Sequence, residues 1–355
     1  MSQTPLTPDT PTLPPPAATR RTPLAWLGAL GPVVGLVFVW GLFALLAGET
    51  FVSWENQRIM LLQTVVVGTA AVGATLVIIS GGIDLSVGSM IALATMVVAM
   101  LARADAGSTT AAVGGVAAGG AVGALIGVLV VGWGGRVVAL LTGSWGVRRL
   151  PLSSFIVTLG TLSALRGLAK GLGDNQPVYP DPAQAGWLPA LMQSGLGQAS
   201  VAPPAGVWVM LALALLMGGV LRYTRFGRHV FAVGSNEQTA RLCGVPVAWV
   251  RLRVFMIASA CAGLAGVFEF GKLSMGDPTT AAGLELQVIA ACVIGGASLA
   301  GGEGSVSGSI VGALIMTVVA NGCTNVGMDD WVQEVVTGGI IIFAVLLDQL
   351  RHARR

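Results

Sequence analysis

Apolar stretches long enough to cross a lipid bilayer recur along almost the whole chain, with few charges between them. Only 10% of the 355 residues are charged, whereas soluble globular domains carry roughly 25%. With 19 Lys and Arg and 16 Asp and Glu, the chain lacks the polar surface that a soluble fold of this length needs. The apolar surface must therefore face lipid. We predict an all-α, polytopic integral membrane protein.

The apolar runs predict about ten transmembrane helices, since one span needs roughly 20 residues. They lie at about 28–47, 59–79, 86–102, 111–132, 152–171, 206–222, 249–270, 283–300, 304–322 and 330–348. The third and several late segments are short or interrupted by glycine, so a re-entrant segment fits among them. The transmembrane domain is expected over residues 25–350.

The distribution of basic residues predicts the orientation. If the spans alternate from a cytoplasmic N-terminus, most arginines fall on the cytoplasmic side, while Arg58, Arg103, Lys170 and Lys272 fall outside. Cytoplasmic loops of membrane proteins carry the excess of Lys and Arg. We therefore expect both termini in the cytoplasm.

Four segments lie between or beyond the spans. Residues 1–24 are rich in Pro and Thr and predict a disordered cytoplasmic tail. Residues 351–355 form a basic cytoplasmic tail. The proline-rich segment 172–205, which has no Lys or Arg, is the largest predicted outer loop. Residues 133–150 suit an amphipathic piece at the interface, of unknown function.

Glycine is frequent, at 51 residues, and its spacing carries information. Gly115, Gly119, Gly123 and Gly127 recur every four residues in the fourth predicted span. Small residues at this spacing let two membrane helices approach closely. We interpret this stripe as a packing surface.

Several functional classes are disfavoured by composition. The net charge is only +3, and no basic run is long enough to bind nucleic acid. The cysteines are scattered, which argues against a metal site or disulfide framework; they are Cys243, Cys261, Cys292 and Cys323. The only histidines, His229 and His352, form no catalytic cluster.

One short stretch imitates a phosphate-binding loop. Residues 266–272 match the glycines and lysine of that motif, but Leu273 stands where Ser or Thr is required. No strand precedes it, and no other Gly-Lys pair exists. We therefore expect no Walker motif, no enzymatic activity and no cofactor in this chain, so any ATP is bound by another subunit.

The stretch Gly81–Ser89 places polar residues between two apolar runs. Its two leading glycines predict the end of a helix, and Asp84 and Ser86 suit the start of the next one. Two interpretations remain open. The stretch is either a helix cap at the membrane surface, or a broken junction that lines a pathway or transmits motion.

Three ionisable residues fall inside predicted spans. Glu269 has Lys272 one turn later and is expected to pair with it. Arg166, with Lys170, is expected to extend toward the outer surface. Glu334 lies near the start of the last span. Sensitivity of these groups to a proton gradient is the alternative to pairing.

The segment 222–248 differs from the rest because it mixes basic, polar and apolar residues. Ser235 or Asn236 suits the start of a short helix, and Gly244 suits its end. By its charge it is a cytoplasmic loop. Such a helix lies on the membrane surface or inserts into a groove of a partner protein.

Five motifs in the same order resemble the permease subunits of ribose- and xylose-type bacterial ABC importers, from about residue 59 to the C-terminus. They are the Gly81–Ser89 stretch, Phe155–Leu162 with Arg166 and Gly167, Thr224–Arg228 with Ala240 and Arg241, Ile289–Leu299, and Gly301–Gly308 with Asn321 and Gly322. Ile126 departs from the family, which usually has Asn before this glycine.

The resemblance implies a permease in the bacterial inner membrane that works with other proteins. A periplasmic sugar-binding protein delivers the substrate, a second permease subunit, expected as a homodimer, completes the pathway, and a cytoplasmic ABC ATPase drives it. The implied ATPase-coupling residues are Gly227, Asn236, Ala240, Arg241 and Gly244. The implied pathway or dimer-core residues are Gly81, Gly82, Asp84, Ser86 and Ser89.

The resemblance favours a simple sugar, with a pentose such as xylose or ribose preferred. Related permeases carry branched-chain amino acids, nucleosides or signalling sugars, so these solutes remain alternatives. An ion-driven secondary transporter is a further alternative, although the sequence has no convincing intramembrane ion site.

Overall fold

The computed structural model describes residues 24–132, 152–193 and 203–353, and within them all regular elements are helical. The helices are α1 (Leu24–Ala47), α2 (Glu49–Val52), α3 (Trp54–Ile79), α4 (Val87–Arg103), α5 (Ser108–Val131), α6 (Ser154–Leu172), α7 (Pro182–Ala185), α8 (Ala205–Tyr223), α9 (Arg225–Ser235), α10 (Glu237–Leu242), α11 (Val247–Leu273), α12 (Leu284–Ile294), α13 (Val306–Val326) and α14 (Asp330–Ala353). The predicted all-α class is confirmed for this part of the chain.

A helix lies at each of the ten positions predicted for a span. Six of them, α3, α5, α6, α8, α11 and α13, are long and apolar enough to cross a membrane by length and composition. Three shorter apolar helices accompany them, at Gly31–Ala47, Val87–Arg103 and Leu284–Ile294. The count of ten spans and the cytoplasmic placement of the termini therefore stay predictions.

The chain divides into two units, residues 1–31 and residues 32–355. Of the first unit the structure describes only the start of α1, from Leu24. The other helices belong to the second unit. The predicted N-terminal tail lies almost wholly outside the described residues, as do residues 133–151, which contain the predicted interfacial piece, and residues 194–202 of the outer loop.

Helices α3 and α11 form the centre of the second unit, because most of their apolar residues are buried inside the protein. Helix α5 packs along α11 through the predicted glycine stripe. A β-carbon at Gly119 or Gly123 would overlap backbone carbonyl oxygens of Ser259 or Phe255. The prediction that these glycines serve close packing is confirmed, and van der Waals contact between the two backbones holds the pair together.

The predicted span 283–300 is only partly helical. Helix α12 contains eleven residues and ends at Ile294. At about 1.5 Å per residue it covers roughly half of a ~30 Å hydrocarbon core. The chain then runs without helix from Gly295 to Ser305, with Gly296, Gly301 and Gly302 at positive φ. Helix α12 and the loop that follows it are therefore the candidate for the expected re-entrant segment.

Candidate coupling and translocation site

Helix α3 ends where the two glycines of the Gly81–Ser89 stretch begin. Gly81 has a φ of +78°, a left-handed conformation that favours glycine. Its amide donates to the carbonyl of Ile78, and the amide of Gly82 donates to that of Val77, both across 2.9 Å. This pair of bonds is a Schellman motif, which satisfies carbonyls left free at a helix end. The predicted helix break is confirmed.

Asp84 and Ser86 form a buried turn before α4. One carboxylate oxygen of Asp84 accepts hydrogen bonds from the amide of Ser86 at 2.8 Å and from its hydroxyl at 2.6 Å. Ser86 occupies the N-cap position of α4, but its side chain caps no helix amide. The carboxylate thus stabilises the turn rather than the helix end. Ser89, one turn into α4, is buried as well.

The same stretch is held to α6 through its backbone. The amide of Ile83 donates to the hydroxyl of Ser154, and the hydroxyl of Thr158 donates to the carbonyl of Ile83, each across 3.3 Å. The backbone of an extended segment needs such partners inside a membrane protein. A displacement of this stretch is therefore coupled to the first turn of α6.

A bend separates α8 from α9, at the start of the predicted coupling segment. Thr224 caps α9, and its hydroxyl accepts the amide of Gly227 across 3.1 Å. A β-carbon at Gly227 would overlap the backbone of Leu221. Gly227 is thus required for the bend, because only glycine permits this approach.

Helix α10 is the short helix predicted after Ser235. The side chain of Asn236 accepts the amide of Thr239 across 2.8 Å and caps the helix start. Its other end is a second Schellman motif, in which Gly244 has a φ of +81° and the amide of Val245 donates to Ala240. Ala240 is buried beneath it. The sequence-predicted boundaries of this helix are confirmed.

Arg241 projects from α10 and belongs to a chain of charges. Its guanidinium contacts Glu237 at 2.7 Å, and the second oxygen of Glu237 contacts Arg251 of α11 at 2.6 Å. The side chain of Arg241 is 69% exposed, and the neighbouring Leu242 is 89% exposed. Among the five coupling residues implied by the family resemblance, Arg241 therefore combines charge with an accessible side chain. The other four determine the backbone conformation of the segment.

The C-terminal end of α9 meets the end of α3 and the loop before α13. The amide of Gly302 donates to the carbonyl of Ile79 across 2.8 Å. A β-carbon at Gly234 would overlap that same carbonyl oxygen and lie 2.7 Å from the Gly302 nitrogen. A β-carbon at Gly301 would lie 2.7 Å from the carbonyl oxygen of Gly234 and 2.9 Å from the Cα of Gly81. We call this contact of Ile79, Gly81, Gly234, Gly301 and Gly302 the glycine junction.

The loop of the glycine junction is also tied to α14. The amide of Leu299 donates to the carboxylate of Asp348 across 3.3 Å, and the hydroxyl of Ser298 contacts the same oxygen at 3.5 Å. The glycine junction thus joins α3 and α9 to the loop before α13, and that loop is joined to α14 through Asp348. The role of Gly234 was not predicted, because a contact between distant residues leaves no local sequence pattern.

Arg166 has partners that the sequence did not indicate. Its guanidinium donates to the carbonyls of Pro278 and Thr280, at 3.0 and 2.6 Å, in the connection before α12. Beside it, α12 begins against α4, where a β-carbon at Gly88 would overlap the carboxylate of Glu285. Arg166 therefore fixes the backbone that leads into the short helix. The predicted pairing of Glu269 with Lys272 is confirmed at 3.3 Å.

The motif residue Asn321 lies at the opposite end of α13 from the glycine junction. Its side-chain oxygen accepts hydrogen bonds from the amides of Asn56, at 2.9 Å, and Asn325, at 3.0 Å. Asn56 also donates to the carbonyl of Phe51. Asn56 and Asn321 are buried, and the cluster clamps α13 to α3.

No group of three or more His, Cys, Asp or Glu side chains suited to a metal ion occurs among the described residues. The described residues instead suit the transmission of motion. Helix α10 is short and exposed, and its neighbour α9 contacts the end of α3 through backbone atoms. The short helix α12 begins against α4, the helix that follows the break. This arrangement can transmit a displacement from α10 to α3.

Comparison with known proteins agrees with the family resemblance of the sequence motifs. A family model described as the permease component of branched-chain amino acid transport systems matches residues 58–345. The probable ABC transporter permease protein YphD of Escherichia coli K12 is 38% identical over 328 residues, covering 92% of this chain and 91% of the relative. No solved structure matches the chain with significance.

Two further relatives have named substrates. The ribose import permease protein RbsC of Escherichia coli K12 is 35% identical over 332 residues, covering 92% of this chain and 96% of the relative. The L-arabinose ABC transporter permease protein AraH of Azospirillum brasilense is 32% identical over 306 residues, covering 86% of this chain and 83% of the relative. The chain is thus similar to these permeases along most of its length.

Proposed function

This chain belongs to the permease-component family matched over residues 58–345, and from that membership we propose that it forms the translocation pathway of an ABC importer for a simple sugar. It is a non-catalytic subunit in the bacterial inner membrane, with both termini in the cytoplasm. ATP is hydrolysed by a separate subunit. The resemblance to sugar permeases inferred from the sequence motifs is confirmed by the relatives.

The observation that carries the mechanism is the glycine junction. Helix α10 presents Arg241 and Leu242 to solvent and adjoins α9. At its end, α9 touches the terminus of α3 through Gly234 without an intervening side chain. Backbone contacts of this kind are stiff, because close-packed interiors deform little. A force on α10 therefore reaches the break at Gly81.

We assign three protein partners on this basis. A cytoplasmic ABC ATPase docks on α10, where the exposed Arg241 and Leu242 offer one charged and one apolar contact. A second copy of the chain completes the pathway. A periplasmic sugar-binding protein docks on the outer loop 172–205, whose described part is tied to the α11–α12 connection by two backbone hydrogen bonds between Val178 and Gly276.

A pentose is the proposed substrate. Relatives named for ribose import and for L-arabinose transport, both five-carbon sugars, support this choice over an amino acid or a nucleoside. The binding protein is expected to make most of the selection. Ligand binding by the binding protein encoded beside this gene would identify the sugar.

Reconstitution into liposomes tests the proposal. The chain alone should show neither ATPase activity nor sugar uptake. Uptake of radiolabelled ribose, xylose or arabinose should appear only when the cognate ATPase, ATP and the loaded binding protein are present. Sugar uptake by the chain alone, driven by an ion gradient, would instead identify a secondary transporter.

A further inference from the structure

A cleft of about 690 Å³ opens between α12, α13 and α14. Its walls carry the hydrogen-bonding side chains of Gln287, Asp330, Gln333, Glu334 and Thr337. Among the residues that the structure describes, the remaining lining residues are small or aliphatic, and none is basic or aromatic. Cavities of this size are typical of small-molecule sites.

Most of these polar groups have no partner of their own. Within the part of the chain that the structure describes, Gln287, Glu334 and Thr337 make no side-chain hydrogen bond, and Glu334 forms no ion pair. Gln333 is held in place, since its amide donates to the carbonyl of Met328 across 3.1 Å. The cleft thus offers free donors and acceptors beside one fixed amide.

Helix α14 has two contrasting faces. The cleft side carries the polar residues from Asp330 to Thr337 at helical spacing. The outward side carries the exposed apolar side chains of Val335, Ile342, Phe343 and Leu346. Burying a carboxylate in hydrocarbon costs at least about 2.5–3.5 kcal/mol. We therefore expect the cleft side of α14 to face water and the outward side to face lipid.

The cleft and the glycine junction lie at opposite ends of α13. The junction loop precedes Val306, whereas Ala320 lines the cleft. At about 1.5 Å per residue, roughly 20 Å of helix separates them. With the junction on the cytoplasmic side, the cleft opens toward the outer half of the membrane.

We propose that this cleft is the outer part of the sugar pathway and that Gln287, Glu334 and Thr337 contact the passing sugar. Amide, carboxylate and hydroxyl groups match the donor and acceptor of each sugar hydroxyl. The described lining contains two acids and no basic residue, which disfavours solutes that carry a carboxylate or a phosphate. The cleft selects neutral polyols, an inference that rests on the proposed import function.

Thiol chemistry tests this assignment in the complete transporter reconstituted in liposomes. Thr337→Cys places a thiol in the cleft, and Ile342→Cys places one on the lipid side of the same helix as the matched control. A cationic, membrane-impermeant methanethiosulfonate is the probe. Mass spectrometry reads the modification at residue 337 or 342 itself, so the native cysteines need no replacement.

The cleft residue should be modified and the control residue should not. Modification of Thr337→Cys should lower sugar uptake about five-fold or more, relative to wild type treated in the same way. The anionic form of the reagent should react with the Thr337→Cys thiol several-fold more slowly than the cationic form. In the double variant that also carries Glu334→Gln, the two reaction rates should be closer to each other. If Thr337→Cys fails to assemble, Gln287→Cys serves the same purpose.

An unmodified thiol in the cleft, or a modified one with undiminished uptake, would overturn the assignment. Equal reactivity toward both reagents would overturn the selection against anions. These failures differ from a failure of the import function itself. In that case the wild-type complex would take up none of the sugars, whereas here wild-type uptake persists and the cleft variants behave like it.

Discussion

The amide of Gly302 donates a hydrogen bond to the carbonyl of Ile79 across 2.8 Å, and Gly234 lies against that same carbonyl. Ile79 is the last residue of α3, so the bond satisfies a carbonyl that the helix itself leaves free. The site where α3 breaks is therefore built jointly with the end of α9. Any motion of α9 must displace α3 or rupture this contact.

Substitutions at Arg241 and Gly244 should distinguish a loss of ATPase docking from a loss of local structure. Arg241→Ala removes an exposed charge while Glu237 keeps its contact with Arg251, so stability should change by about 0.5 kcal/mol or less. Association with the ATPase and sugar uptake should fall. Arg103→Ala, at an exposed arginine remote from α10, is the control. Undiminished uptake in Arg241→Ala would contradict the docking assignment.

Gly244→Ala should instead act through the shape of α10. At a φ of +81° an alanine costs about 1–2 kcal/mol. The Schellman motif should fray, and α10 should lose its fixed orientation. Limited proteolysis near residue 244, compared with wild type, measures this effect. Equal cleavage of the two proteins would show that the motif is dispensable.

Asn321→Ala should destabilise the end of α13 that lies opposite the glycine junction. The change removes the oxygen that accepts hydrogen bonds from Asn56 and Asn325, leaving a buried amide of Asn56 with one partner fewer. The expected loss is about 1–3 kcal/mol. A lower thermal unfolding temperature in detergent measures it. Thr109→Ala, at an exposed position in the first turn of α5, should unfold like wild type.

The two neighbouring glycines of α5 offer a matched pair. Gly119→Leu should prevent α5 from packing on α11, since even a β-carbon there overlaps Ser259. Overpacking costs typically about 1–3 kcal/mol, and the clash here is with backbone. Gly120→Leu meets no atom within 4 Å of the new β-carbon and should accumulate normally. Similar yields of folded protein from both variants would refute the packing role.

Cys243 reports the orientation of the chain. It is exposed at the end of α10, whereas Cys261, Cys292 and Cys323 are buried. A membrane-impermeant maleimide should label Cys243 in inside-out vesicles and not in intact spheroplasts, and bound ATPase should protect it. Cys243→Ser should abolish the signal. Labelling in spheroplasts would place α10 on the outer side and reverse the predicted topology.

Local sequence signals predicted the helices and their caps well. Asn236 and Gly244 bound α10 as expected, because a cap is decided by the few residues around it. Apolar runs located the helices, since lipid requires about 20 such residues in a row. The end of α12 at Ile294 was missed, because Ala297 and Leu299 continue an apolar pattern that the backbone does not follow.

Contacts between residues that are distant in the chain could not be predicted from the sequence. Gly234 has no motif that pairs it with Ile79, and Arg166 gives no hint that it binds the carbonyls of Pro278 and Thr280. The polar cleft was missed for the same reason. Gln287 and Thr337 are unremarkable singly, and they form a surface only when α12 and α14 lie side by side.

Substitution of Gly234 tests most directly whether the glycine junction couples ATP hydrolysis to transport. In the complete reconstituted transporter, the β-carbon of Gly234→Ala should push the end of α9 away from α3, and ATP hydrolysis and uptake are measured in the fraction that assembles with the ATPase. Sugar imported per ATP should fall about ten-fold, equivalent to about 1.4 kcal/mol, while Gly120→Ala should retain the wild-type ratio. A wild-type ratio in an assembled Gly234→Ala transporter would contradict the coupling role of the junction.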